Sequence, residues 1–259
     1  MSTDKQAAGT SIATSTADDV WIRDRSLCKD LIGKLTFTEM TYFHIVGSRP
    51  TPAQTAVLDA CLVTLMEHGL TPSALATRLT YGSSPEAMQA AVAAGILGVG
   101  SVFVGTVEGC AALLSRIVAA KGNEAKEARA IATEHRAARR PVPGFGHPVH
   151  KPDDPRSACI LRLAAENGIA GGHISALQAL ARAVDEVHGK HLTINATGAI
   201  AAALADAGIP AEIMRGLAIL ARCAGLVGHV REEQQRPAMR AIWEAAEAAV
   251  PYDGDAGKS

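Results

Sequence analysis

HLTINATGAIAAALADAGIPAEIMRGLAILARCAGLVGHVREEQ, residues 191–234, decides the fold class. Its apolar residues recur at helical spacing over 196–207 and 211–229, with Gly208-Ile209-Pro210 as the break between two helices. HLTIN, just before Ala196, is strand-like and reads equally well as an extended entry into the first of them. The same Ala- and Leu-rich pattern recurs along the chain. Hydrophobic residues make up 48% of the 259 positions and aromatics only 3%, so the core must be closely packed aliphatic helices. Sandwiches and barrels draw on aromatic and β-branched strands with period-two alternation, which is nearly missing here. The expected class is all-α.

Working outward, Thr51-Pro52 supplies an N-cap and a first-turn proline, with apolar residues following at Val57, Leu58, Cys61, Leu62 and Leu65; this helix should run to Gly69. Further starts fall at Thr71-Pro72-Ser73 and Ser84-Pro85-Glu86. The first 18 residues lack periodicity and read as a mobile tail without the apolar core of a secretory signal. No apolar run reaches the ~18–20 residues a membrane span requires. Net charge is -1, so neither nucleic acid nor an anionic membrane is drawn by a long-range field, and the basic stretch 121–140 reads as a solvated face. Five dispersed cysteines (Cys28, Cys61, Cys110, Cys159, Cys223) read as small buried hydrophobes in a reducing, cytoplasmic compartment.

PVPGFGHPVHKPDDPRS, residues 141–157, is too rich in Pro and Gly to be helical through most of its length. Gly144, Phe145 and Gly146 let backbone approach a ligand, His147 can donate or accept near neutral pH, and the planar fork of Arg156 suits a carboxylate. A proline-rich turn with a surface histidine fits these residues too. The His147/His150 pair has no nearby third ligand in sequence and argues against a metal site. His68, in Glu67-His68-Gly69, fits a helix C-terminal cap or a ligand contact. Arg222 lies inside an apolar helix and needs an anion, whereas His229 and Arg236 fit either a site or an exposed helix end.

These motifs, in this order, resemble the citrate synthase superfamily, in particular its short citryl-CoA lyase-like members. MEHGLTPSA matches the family's histidine motif, PGFGHPVHKPDDPRS its Gly-His loop and Asp-Pro-Arg, TINATGAI its active-site turn, and LARCAGLVGHVREEQ its arginine helix. The resemblance implies a helical fold of two domains, a large one at 19–106 with 206–259 and a small one at 107–205. It implies His147, Thr197 and His68 as catalytic residues, His147 at the oxygen of the reacting carbon, Thr197 orienting a water and His68 on the carboxylate-bearing substrate, with Arg156, Arg222, Arg236 and Asn195 as substrate ligands and Gly144, Phe145 and Gly146 beside coenzyme A. The implied partners are an acyl-CoA and an oxo or hydroxy acid, handled by a homodimer or homotetramer without a tightly bound cofactor.

Two departures shape the expected chemistry. Citrate synthases place a thioester-polarising histidine where GVGSVFVGTVEG has Phe103 and Val104, and a catalytic aspartate where this chain has Thr197. A threonine hydroxyl is no carboxylate base. The resemblance therefore points to cleavage of citryl-CoA or a related 3-hydroxyacyl-CoA; hydrolysis or decarboxylation of another thioester, or a silent CoA-binding protein, are the alternatives.

Overall fold

The computed structural model describes residues 9–102 and 104–254. Eleven α-helices dominate the described residues: α1 Phe37–Val46, α2 Pro52–Met66, α3 Pro72–Ser83, α4 Met88–Leu97, α5 Thr106–Ala119, α6 Glu124–Ala137, α7 Pro155–Glu166, α8 Gly172–His188, α9 Ala196–Asp206, α10 Met214–Gln235 and α11 Met239–Ala249. The helical class is thus as read, with one addition. Strands β1 Ala13–Ser15, β2 Val20–Ile22 and β3 Arg25–Ser26 form a small antiparallel sheet in the order β1-β2-β3. It draws residues 13–15 out of the stretch expected as a tail. Residues 191–195 contribute only a single antiparallel bridge, Phe145 to Ile194.

Local chemistry sets most helix starts. Thr51 caps α2 in a capping box with Gln54, and Asp154 caps α7 with Pro155 at its first position. The second of these was visible in the sequence, yet α7 was not expected, because the proline-rich run before it dominates the local reading. α2 stops at Met66, three residues short of the expected Gly69, and α4 begins at Met88 after a turn through residues 84–87.

The helices pack in two groups. α5, α6, α7, α8 and α9 contact one another, while α10 packs against α2, α3 and α4, and α1 lies on α2. At the centre, α9 is buried from Ala196 to Leu204 on almost every side. Ala199, Ala201, Ala202 and Ala203 let neighbouring helices come close, and Ile200 and Leu204, both fully buried, each stabilise the core by roughly 1.5–3 kcal/mol. The groups meet where α2 touches α7 and α9, and where α10 touches α5.

One segment overturns the reading of membrane length. Ala211–Gln235 is long and apolar enough, by composition, to cross a bilayer. Its apolar face is instead spent on the protein core, with Leu217, Ala218, Ala221, Leu226 and Val230 buried. All five cysteines are free; Cys61 and Cys110 are buried as expected, but Cys28 and Cys159 are exposed.

Candidate active site

A cavity of about 670 Å³ opens between the two helix groups. His68, Gly144, Phe145, Gly146, His147, Arg156, Asn195, Thr197 and Arg222 all line it, so residues spread over 155 positions meet at one cavity. Arg236 does not. It lies exposed at the C-terminal cap of α10, 14 residues beyond Arg222 and hence about 21 Å farther along a helix axis.

Backbone pairing builds the loop. Gly146 N–H donates to the Thr193 carbonyl (2.8 Å), Asn195 N–H donates to the Gly144 carbonyl (3.0 Å), and the Asn195 side-chain amide donates to the Gly146 carbonyl (2.9 Å). Gly144 has φ of 90°, and a Cβ there would lie 2.6 Å from Cys110 Sγ. Only glycine fits.

His147 is oriented by the backbone that follows it. Its Nδ1 accepts N–H groups from Val149 (3.1 Å) and His150 (3.0 Å). In the neutral ring the proton therefore resides on Nε2, which points at the cavity as a donor. His68 Nε2 lies 3.4 Å from it and is placed to accept. Partial burial, then the positive charge of Arg156, lower the proton affinity of both rings below that of a free imidazole.

His150 stacks on His147 with ring centroids 4.4 Å apart, so three imidazoles cluster. The donor set does not suit a metal ion. His147 Nε2 must keep its proton while Nδ1 serves two amides, and Arg156 Nη2 sits 3.3 Å from that nitrogen. Two donors facing each other at this distance form no bond between them; they suit a common oxygen acceptor.

Arg156 is held by Asp154 in a bidentate pair, Nε to Oδ1 at 2.9 Å and Nη2 to Oδ2 at 2.8 Å. Asp154 is buried and also accepts the amide of Ala196, fastening the loop to the start of α9. Burial alone would raise its carboxyl, but the hydrogen bonds and charge of Arg156 outweigh this and hold it below the usual carboxylate range. Its bracing role was missed at the sequence level, although Asp-Pro is a recognisable helix start.

Arg222 differs. It is 4% exposed, and neither its Nε nor its Nη1 has a hydrogen-bond partner among the described residues. Burial lowers its pKa, and the Glu67 carboxylate opposes that effect without bonding to it. A buried guanidinium at a cavity wall is costly unless an anion completes it.

At the position of Thr197 the hydroxyl donates to Asn195 Oδ1 (2.7 Å) and stands 2.9 Å from Thr106 Oγ1. Thr106 joins the site unannounced, since a single threonine in GVGSVFVGTVEG carries no pattern of its own. Val104 lines the cavity with φ of 64°, a costly conformation for a β-branched residue, whereas Phe103 lies outside the described residues.

A family model described as the citrate synthase C-terminal domain matches residues 17–243. The chain belongs to the citrate synthase family. Citryl-CoA lyase from Hydrogenobacter thermophilus is 30% identical to it and superposes with a TM-score of 0.85, over 96% of this chain and 95% of that one. ATP citrate lyase from Methanosaeta concilii, solved in complex with (3S)-citryl-CoA, shares the fold at a TM-score of 0.80 over 98% of this chain and 43% of its own, with 15% identity. The citrate synthase of Acidithiobacillus ferridurans is 24% identical over 200 residues, 74% of this chain and 50% of the relative. The chain spans about half the length of the curated relatives it matches. Its predominantly helical, two-group architecture is that of the citrate synthase fold.

Proposed function

We propose that this citrate synthase family member is a carbon–carbon lyase that cleaves citryl-CoA, or a related 3-hydroxyacyl-CoA, to acetyl-CoA and an oxo acid. The observation that carries this reading is Arg222, a buried cation whose Nε and Nη1 have no hydrogen-bond partner among the described residues, on the wall of the cavity that holds His147 and His68. A carboxylate completes it. The likeness to citryl-CoA lyase over nearly the whole of both chains supports the same substrate class.

In this reading a substrate carboxylate lies on Arg222, and the oxygen at the reacting carbon lies between His147 Nε2–H and Arg156 Nη2. His68 Nε2 takes the hydroxyl proton. The carbon–carbon bond then breaks, its electron pair passing to the thioester as an enolate while the oxygen becomes a carbonyl. The proton held by His68 then passes, through a water, to the enolate carbon, which gives acetyl-CoA and leaves His68 neutral again. Donors that stabilise the developing oxyanion lower the barrier to bond cleavage. Thr197, bridged to Thr106, can hold a water at the enolate but cannot itself serve as a carboxylate base. Gly144, Phe145 and Gly146 offer backbone to the thioester arm.

The division into a large domain at 19–106 and 206–259 and a small one at 107–205 belongs to this proposal. It is supported by the internal packing of α5 to α9. So do a cytoplasmic location and a homodimer or homotetramer, for which the exposed Phe37, Leu97 and Trp243 supply apolar contact surface. Arg236 then serves a neighbouring subunit.

Purified protein and its His147→Ala variant, incubated with citryl-CoA and separately with acetyl-CoA plus oxaloacetate, test the reading by mass spectrometry of all four species. His147-dependent loss of citryl-CoA is the expected result. Binding of the thioester without turnover would overturn it.

A further inference from the structure

α10 presents Arg222, Gly225, His229 and Glu233 along one face, and only the first has been given work. His229 and Glu233 sit in a chain of polar contacts that ends at His68. Buried Arg78 of α3 donates from Nη1 to the buried Glu233 (2.8 Å), pairs with Glu232 through Nη2, and donates from Nε to His229 Nδ1 (3.0 Å). Because Nδ1 accepts, the proton of the neutral His229 ring sits on Nε2, which lies 3.0 Å from Glu67 Oε2, within ion-pair distance but not aligned as a hydrogen bond. The other oxygen of Glu67 accepts the backbone N–H groups of His68 (2.8 Å) and Gly69 (2.6 Å).

Glu67 is where α2 ends and the chain turns extended, so its own carboxylate shapes the turn that delivers His68. Gly225 makes the approach of α10 possible. A Cβ there would lie 2.1 Å from the Met66 carbonyl and 3.2 Å from Glu67 Oε2. Partial burial pushes the Glu67 carboxyl up, but the amide of His68 and then His229 outweigh it and keep the group ionised. The same carboxylate is the anion that acts on Arg222.

We infer that Arg78, His229 and Glu67 form a positioning relay, which transmits the fixed geometry of the buried Arg78–Glu233 pair to His68 and holds a negative charge near Arg222. This rests on the proposed role of His68 in the reaction. His229 and Glu67 are positioning residues that act through His68 and Arg222. Loss of one link lets the His68 turn relax, and a displacement of about 1 Å at a reacting group can lower turnover ~100-fold.

The test combines histidine side-chain 15N NMR with kinetics for the wild type, His229→Leu, His229→Gln and Glu67→Gln. Glutamine can accept from Arg78 and donate to Glu67 at once; leucine can do neither. The relay predicts an Nε2–H tautomer for His229 and shifted His68 resonances in His229→Leu and Glu67→Gln. It also predicts a fall in kcat toward the ~100-fold level at nearly constant KM in those two, with both signatures restored in His229→Gln. Glu67→Gln covers the case in which His229→Leu does not fold. His68 resonances unmoved in folded Glu67→Gln, or His229→Gln behaving like leucine, would overturn the relay. Should the wild type not cleave citryl-CoA, the proposed reaction fails while the resonances still decide the relay.

Discussion

A Cβ on Gly198 would lie 2.5 Å from the carbonyl oxygen of Gly144, so the first turn of α9 and the loop bearing His147 are packed backbone against backbone. Neither partner is a side chain that could swing aside. Gly198→Ala is therefore expected to cost about 1–3 kcal/mol and to displace the His147 loop. Thermal unfolding and citryl-CoA turnover on the same preparation check this, and turnover should fall further than the loss of folded protein explains.

Arg222→Met should separate binding from stability. Replacing a buried, incompletely satisfied guanidinium with an apolar side chain of similar length is expected to leave the free protein as stable, or up to ~4 kcal/mol more stable. The thermal shift produced by citrate or a carboxylate-bearing thioester should vanish. A variant that still gains the full ligand-induced shift would remove Arg222 from the site.

Breaking the Asp154–Arg156 pair leaves a partly exposed cation and an unsatisfied Ala196 amide. Asp154→Asn is expected to cost on the order of 2–3 kcal/mol, below the value for a fully buried pair because Arg156 is partly open to solvent. Since the folded carboxyl is held below its unfolded value of about 3.9, its stabilisation is complete above that pH and is lost as pH falls through the folded value. Urea unfolding from pH 3 upward should show this acid loss in the native protein and a flatter curve in the variant.

The pH dependence of turnover follows from His147 and His68. Burial, reinforced by Arg156, depresses both rings, so they are neutral at pH 7 and remain so somewhat below the ordinary imidazole value of about 6.5. Protonating His147 Nδ1 would also break its contacts to the Val149 and His150 amides. The acidic limb of kcat/KM should lie below pH 6.5, and Arg156→Met should move it upward.

Thr197→Asp places a carboxylate beside Thr106 and Asn195. Exchange of the acetyl-CoA methyl hydrogens for solvent deuterium is expected to rise about 100-fold or more, the usual contribution of a positioned base. Unchanged exchange would show that the chemistry does not run through this position.

What could be read from sequence followed the range of the forces involved. Capping at Thr51 and the apolar period of 196–207 are local, and both recur in the structure. The meeting of His68, His147 and Arg222 was reached through the order of motifs, because no periodicity relates residues so far apart. Asp154, Thr106 and Glu67 escaped notice, as their roles are defined by partners on other elements: Ala196, Thr197 and His229. The β1–β3 sheet escaped too, since strands of two or three residues are too short for alternation to register.

His68 and Arg222 belong to the helix group of α2 and α10, whereas His147, Arg156 and Thr197 belong to the group of α5 to α9. A ligand gripping both sets is thus a temporary cross-link between bodies that otherwise meet along a few helix contacts. In the proposed cleavage each departing product would remove part of that cross-link, so release is expected to loosen the contact between the two helix groups.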